Sequence, residues 1–164
     1  DAMAELVLDA LGKAKRVADL FAGSGTFALR IARQAKVHAV EGDEKALKAL
    51  DTAARKTQGL KPVTVEKRDL FRRPLMTSEL KVYDAVVFDP PRAGAEDQCK
   101  ELARSAVKTI VAVSCNPISL ARDLAILTAI NRCGAQLAGL LVPEDDEPKH
   151  VARPPHPSTQ IGRR

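Results

Sequence analysis

Residues 109–123, TIVAVSCNPISLARD, place the tightest constraint on what this chain can fold into. Ile110 to Val113, following Thr109, make a short β-prone and apolar run that reads as a buried strand. Ser114-Cys115-Asn116-Pro117 breaks the run, and Leu120, Leu124 and Leu127 then recur at helical spacing. Pro117 suits the first turn of that helix, where its missing N–H removes no hydrogen bond. Cys115 therefore falls at the carboxyl end of a parallel-type strand, just ahead of a helix. Open α/β sheets place ligands at that edge, and helix N–H groups stabilise a thiolate there. The competing reading is a small structural cysteine, since free cysteines are common in cores.

The remaining chain repeats the alternation. Residues 1–14 read as an amphipathic helix carrying Leu6, Leu8 and Leu11. Val17 to Phe21 is a first strand, and Ala22-Gly23-Ser24-Gly25-Thr26 a tight loop feeding a helix through about Gln34. Val37 to Val40 is a second strand ending in Glu41-Gly42-Asp43, followed by a helix from Glu44 to about Lys56. Pro62 to Glu66 is a third strand closed by Arg68-Asp69, and residues 70–81 look irregular. Asp84 to Phe88 is a fourth strand running into Asp89-Pro90-Pro91-Arg92; a helix over Glu96 to Val107 precedes the fifth strand. Ala135 to Val142 is a candidate sixth. Strands alternating with helices predict an α/β fold with a Rossmann-like, doubly wound, mainly parallel sheet in residues 1–142. Residues 143–164 hold five prolines, several charges and few apolar side chains, so they are expected to form a disordered or extended tail.

Composition narrows the function classes. At 164 residues the chain suits one α/β domain with a real core. No apolar run nears the ~20 residues that span a bilayer, and no signal-peptide pattern opens the chain. Cys99, Cys115 and Cys133 are too dispersed for a disulfide framework or a metal knot, which fits a reducing, cytoplasmic setting. A net charge of +5 is compatible with a polyanionic partner. Four Phe and one Tyr make a broad base-stacking platform improbable.

Chemistry concentrates at the strand ends. Gly23 and Gly25 follow a strand tipped by Asp19 and let backbone approach a ligand, although the third glycine of a dinucleotide fingerprint is missing. Glu41, roughly 20 residues further on, is placed to accept hydrogen bonds from ribose hydroxyls. Asp69 occupies a comparable position, suited either to an exocyclic amine or to capping a turn. In Asp89-Pro90-Pro91 two prolines stiffen the chain and fix a carboxylate at the sheet edge. Cys99, Cys133 and His38 read as structural, His38 packing or facing solvent within a strand.

Asp19-Leu20-Phe21-Ala22-Gly23-Ser24-Gly25-Thr26-Phe27, Val40-Glu41, Asp69, Asp89-Pro90-Pro91-Arg92-Ala93-Gly94 and Val113-Ser114-Cys115-Asn116-Pro117 together resemble the catalytic domain of RNA uracil-C5 methyltransferases. Ser-Cys-Asn-Pro followed by Leu-Ala-Arg-Asp is the most specific part; Gly-x-Gly loops and Asp-Pro-Pro occur more widely. The resemblance implies S-adenosylmethionine as cofactor and tRNA or rRNA as partner; no metal is expected, because the three cysteines are dispersed. It further implies that Phe21, Thr26, Glu41, Asp69 and Asp89 line the cofactor, with Glu41 on the ribose, and that Cys115 is the nucleophile. A thiolate is wanted because uracil C5 attacks a methyl sulfonium only after addition at C6 turns the ring into an enolate; a base must afterwards remove the C5 proton.

The chain departs from that pattern at both ends. The family's base is a glutamate in a His-x-Glu motif before a last strand; here His150-Val151-Ala152 stands nearest, and Glu144, Asp145, Asp146 or Glu147 are the substitutes at hand. The family's N-terminal RNA-binding domain and iron–sulfur cysteines have no counterpart, so a fragment or reduced paralogue is expected. The rival functions are a non-catalytic module binding the cofactor and RNA, motivated by Ala152, and a nitrogen-directed methyltransferase, which shares Asp-Pro-Pro and needs no cysteine.

Overall fold

The computed structural model describes residues 2–130 and 134–142. Six strands form one sheet: β1 (Arg16–Leu20), β2 (Lys36–Glu41), β3 (Val63–Lys67), β4 (Ala85–Phe88), β5 (Thr109–Ser114) and β6 (Gln136–Leu141). Every pairing is parallel and the order is β3-β2-β1-β4-β5-β6. The Rossmann-like, doubly wound reading holds, and the sheet is parallel throughout its described strands. The proposed tail, Cys133 and His150-Val151-Ala152 lie outside the described residues.

Helices cover both faces. On one side α1 (Ala2–Leu11), α2 (Ala28–Ile31) and α3 (Glu44–Lys56) bury Val7, Leu11, Ile31 and Leu50 against Val17, Val37, Val87 and Val111. On the other, α4 (Thr77–Leu80), α5 (Glu96–Arg104) and α6 (Pro117–Ala129) bury Leu80, Leu102 and Leu127 against Leu20, Val40, Phe88 and Ile110. Both faces of the central strands are thus apolar, as a doubly covered parallel sheet requires. No described helix is long and apolar enough to cross a membrane.

Local elements differ from the sequence reading, among them the helix expected through Val107, which ends at Arg104. The first strand stops at Leu20 because Phe21 adopts a left-handed backbone (φ 59°) that turns the chain out of the sheet. The helix expected through Gln34 is regular only over Ala28–Ile31, its flanks closing with i to i+3 bonds such as Arg33 N–H to Arg30 carbonyl, 3.2 Å. Residues 70–81 hold a short helix after all, α4, whose Glu79 carboxylate accepts from the Met76 amide (2.8 Å).

The strand order creates one switch point. From β1 the chain moves outward to β2 and β3, then returns to β4 on the other flank of β1. Helices leave in opposite directions there and open a crevice at the carboxyl ends of β1 and β4. Register pairs Leu20 with both Val40 and Phe88, so Phe21, Glu41 and Asp89 follow one step beyond, in one row across the crevice.

Candidate active site at the carboxyl edge

A cavity of about 690 Å³ opens at this crevice, and Phe21, Glu41, Asp69, Asp89 and Cys115 all line it. Five of the eight residues singled out in the sequence are therefore brought together. Gly23, Gly25 and Thr26 are not on its lining: Thr26 is exposed on the glycine loop, and the two glycines shape that loop.

Glu41 connects the loop to the cavity. Its Oε2 accepts from the Gly23 amide (2.9 Å) and its Oε1 from the Asp43 amide (2.7 Å). Each carboxylate oxygen has two lone pairs, so one acceptor site per oxygen remains, a pair suited to vicinal hydroxyls. Asp43 in turn caps α3, its Oδ1 accepting from Ala46 N–H at 2.8 Å. Gly25 explains why the loop can lie so flat. Its φ is +99°, and a Cβ there would sit 2.9 Å from Leu50 Cγ on α3.

On the far wall Asp69 both faces the cavity and caps a turn. Its Oδ1 accepts from Phe71 N–H at 3.0 Å and Arg72 N–H at 3.3 Å, so the turn-capping role weighed for it is met while the residue still lines the cavity. The turn presents Phe71, whose ring meets that of Phe21 at 5.3 Å and 53°. Arg68 holds the turn from behind: its guanidinium donates to Glu79 (2.8 and 2.9 Å), Glu66 (3.3 Å) and the carbonyls of Arg73 and Pro74 (2.7 and 2.9 Å). Pro90 and Pro91, read as stiffeners, also supply apolar lining, together with Leu70 and Phe71, which the sequence did not single out. His38 is structural as read, half-buried beside Tyr83 with its Nε2 3.1 Å from Glu66 Oε2.

The loops bearing Asp89 and Cys115 are locked together. Ser114 Oγ accepts from Asn116 N–H (3.0 Å), bracketing Cys115 in a tight turn. Asn116 caps α6 through Ile118 N–H (3.0 Å), and its Nδ2 donates to the Arg92 carbonyl (3.0 Å). Arg122 Nη2 donates to the Ala93 carbonyl (2.8 Å), and buried Asp123 accepts from Ala95 N–H (2.7 Å). Gly94 sits between these groups at φ +78°; a Cβ there would lie 2.4 Å from Arg122 Nη2 and 2.7 Å from Asp123 Oδ2. Asn116, Arg122 and Asp123 thus grip the segment after Asp-Pro-Pro. The signal in the sequence was the Leu-Ala-Arg-Asp run, which carried specificity without a stated role.

The two described cysteines differ as their positions imply. Cys99 is fully buried, and burial pushes its thiol well above the ordinary range. Cys115 is half-buried at the cavity. Burial also raises the Asp89 carboxyl. Beneath the glycine loop Asp19 is wholly buried, with no hydrogen-bond partner of ordinary geometry for either oxygen. Its pKa is lifted from 3.8 to about 8 by burial first and then by Asp89, against an opposing pull from the Ala28 amide that exceeds the smaller lift from Glu41. The repulsion that Asp89 and Glu41 exert on the buried Asp19 carboxyl is the kind of crowding that a ligand bringing positive charge relieves.

Residues 4–121 match the family described as conserved hypothetical protein 95. An uncharacterized RNA methyltransferase of Agrobacterium fabrum is 82% identical over 128 residues, covering 78% of this chain and 31% of the relative. The 23S rRNA (uracil(1939)-C(5))-methyltransferase RlmD of Chromohalobacter salexigens is 43% identical over 114 residues, covering 69% of this chain and 23% of that one. Among solved structures, the Pyrococcus abyssi tRNA (uracil-54, C5)-methyltransferase in complex with S-adenosyl-L-homocysteine superposes with a TM-score of 0.63 at 28% identity. That match covers 77% of this chain and 31% of the other. The chain spans under a third of the length of these relatives. The chain belongs to the conserved hypothetical protein 95 family, and its α/β domain is homologous to a segment of RNA methyltransferases that include uracil-C5 enzymes.

Proposed function

We propose that this chain is the catalytic domain of an S-adenosylmethionine-dependent RNA methyltransferase that methylates uridine C5 in tRNA or rRNA through a covalent adduct on Cys115. The observation that carries the reading is the meeting of the Cys115 thiol, the Asp89 carboxylate and the Glu41 carboxylate on one cavity at the switch point. The relatives' names and the S-adenosyl-L-homocysteine bound by the archaeal enzyme supply the cofactor and substrate class.

The residues present fit that cofactor. Glu41 keeps two free acceptor sites for the ribose diol, Asp69 offers an acceptor to the adenine amine, and Phe21, Leu70 and Phe71 supply apolar contact. The carboxylates at the strand ends complement an ammonium and a sulfonium. When bound, the cofactor supplies an electrophilic methyl group.

In this mechanism Cys115, as thiolate, adds to uracil C6, and the ring π electrons move onto the C4 oxygen as an enolate. C5 would then take the methyl group as the C4 carbonyl re-forms, the methyl–sulfur bond breaking so that the donor leaves as neutral S-adenosyl-L-homocysteine. Loss of the C5 proton to a base re-forms the C5–C6 double bond and expels the Cys115 sulfur, restoring the thiolate. Positioning falls to the chain: the Ser114–Asn116 turn fixes the sulfur, the two prolines fix Asp89, and the Arg92–Asn116 bond ties the loops together. Effective molarities from such fixed geometry reach ~10⁵ M or more. The four acids Glu144 to Glu147, candidates for the base, lie outside the described residues.

The test is incubation with 5-fluorouridine-substituted RNA and S-adenosylmethionine. Fluorine at C5 blocks the final deprotonation, so a denaturation-resistant protein–RNA adduct is expected, lost in Cys115→Ala, while S-adenosyl-L-homocysteine binding by calorimetry is retained. Cofactor binding with no adduct on RNA that the protein demonstrably binds would favour the non-catalytic module. Methyl transfer surviving in Cys115→Ala would point to nitrogen chemistry.

A further inference from the structure

We propose that the opposite, amino-terminal edge of the sheet is a second RNA contact, a row of cations that grips the phosphate backbone of the substrate away from the target uridine. The proposal rests on the RNA-methyltransferase reading above and adds a surface that it does not use.

Two adjoining clefts of about 740 and 420 Å³ lie along this edge, sharing Lys13, Lys15 and Asp84 in their walls. Lys61 precedes β3, Lys36 opens β2, Lys15 precedes β1 and Arg16 opens it, and Lys108 precedes β5. Backbone bonds hold these starts side by side: Lys36 N–H to the Lys15 carbonyl (2.9 Å), Asp84 N–H to the Arg16 carbonyl (2.9 Å), and Lys108 N–H to the Asp84 carbonyl (3.2 Å). From β3 to β5 the row spans about 19 Å at ~4.8 Å per strand. An open, repeating row suits a chain of phosphates better than one enclosed anion.

These cations are uncommitted. Elsewhere many cations are paired: Lys48 and Lys67 share Glu44, Lys100 meets Glu96 and Asp97, Arg68 is held by Glu66 and Glu79, and Arg122 by Asp123. Scattered ones such as Lys45, Lys56 and Lys81 form no ion pair among the described residues; what sets this edge apart is that its unpaired cations adjoin. Among the described residues, Lys13, Lys15, Arg16, Lys36, Lys61 and Lys108 form no ion pair, and all six are exposed. Of the two acids in the clefts, Asp9 and Asp84, the second already accepts from the amides of Lys15 and Arg16 (3.0 Å each). Helix C-termini also attract cations, but that effect fades within the last turn. Lys36, Lys61 and Lys108 lie four or five residues beyond the ends of α2, α3 and α5.

Strands of five or six residues separate this edge from the cavity by roughly 17–20 Å. A folded RNA offering a stem as well as a loop reaches both, with the stem phosphates on the lysine row and the loop uridine at Cys115.

The experiment titrates this chain into a fluorescein-labelled RNA hairpin with a uridine in its loop, across a series of KCl concentrations. The Lys13→Glu/Lys36→Glu/Lys61→Glu variant is expected to bind tenfold or more weakly. Its slope of log K against log salt should fall by about two to three units, near one per lost phosphate contact. An unchanged slope, or an equal loss in Lys45→Glu/Lys48→Glu/Arg55→Glu on the outer surface of α3, would overturn the proposal; the latter would mean net charge acts without a site. Thermal melting establishes that both variants are folded, and S-adenosyl-L-homocysteine calorimetry reports separately on the cofactor cavity. Cofactor binding without salt-sensitive RNA binding by the parent chain would reject the row and leave the cavity reading standing.

Discussion

Asp19 carries a cost that its neighbours do not relieve. Its folded pKa of about 8 exceeds the ordinary 3.8, so between those values the folded state holds a proton that the unfolded chain has lost. Stability contributed at this position therefore declines as pH rises from about 4 to about 8 and is constant above. Asp19→Asn should remove the decline: its melting temperature should match the parent near the lower value and exceed it progressively toward the upper. Melting curves at stepped pH decide this, and parallel curves for the two proteins would refute it. In the sequence Asp19 was legible only as an acid near a strand end. Its burial was not, because both faces of a central parallel strand are covered and the alternation that would mark an outward residue is absent. Phe21 shows the same limit. A β-prone residue after Val17-Ala18-Asp19-Leu20 reads as more strand, yet its φ of 59° costs on the order of 1–3 kcal/mol and persists because the ring is held over the crevice by Phe71. Cys115, Glu41, Asp69 and Asp89 were legible because each is a chemically distinctive residue at the end of a strongly patterned strand.

At the scale of elements, strands and long helices were legible from periodicity, and α3 falls on its expected bounds of Glu44 and Lys56. The short α4 was not, since four residues offer no period to read. It is fixed from a distance, by Arg68 on Glu79 and by Glu101, whose Oε2 accepts from Thr77 N–H and Oγ1 (2.8 Å each). The grip of α6 on the Asp-Pro-Pro loop was equally hidden, because it joins residues 28 and 29 apart. It nevertheless has measurable consequences. Asp123→Ala leaves the Ala95 amide without its acceptor in a buried site and Arg122 without its carboxylate, which should destabilise the fold by about 2–3 kcal/mol. Gly94→Ala should act in the same direction, since its methyl group would overlap both clamp residues. Urea unfolding gives these values. Loosening of the loop should appear as faster amide exchange over residues 92–95 in Asp123→Ala, beyond the change elsewhere in the sheet; uniform acceleration would show that the clamp has no local role.

For the whole molecule, the topology gathers acids toward one end of the sheet and, among the described residues, unpaired lysines toward the other, although Arg68 also lines the carboxyl-edge cavity and Asp9 and Asp84 the amino-edge clefts. Strand ends carrying Asp19, Glu41, Asp69 and Asp89 meet at the carboxyl edge, while strand starts carrying Lys15, Arg16, Lys36 and Lys108 meet at the other. The alternation of strands and helices made the parallel sheet legible, but only the order β3-β2-β1-β4-β5-β6 shows which carboxylates become neighbours. That crowding links ligand binding to protons. A cationic ligand at the cavity favours ionised Asp19, which near neutral pH is mostly protonated, so binding must release part of a proton. Affinity for S-adenosylmethionine should therefore strengthen as pH rises toward about 8, by up to tenfold per unit, and level off above. S-adenosyl-L-homocysteine lacks the sulfonium charge and should show a shallower slope, and Asp19→Asn should flatten both. Calorimetry in two buffers of different ionisation enthalpy measures the proton count directly. Equal binding heats in the two buffers at neutral pH would mean that Asp19 does not sense the ligand, and that its buried charge serves some other purpose in the fold.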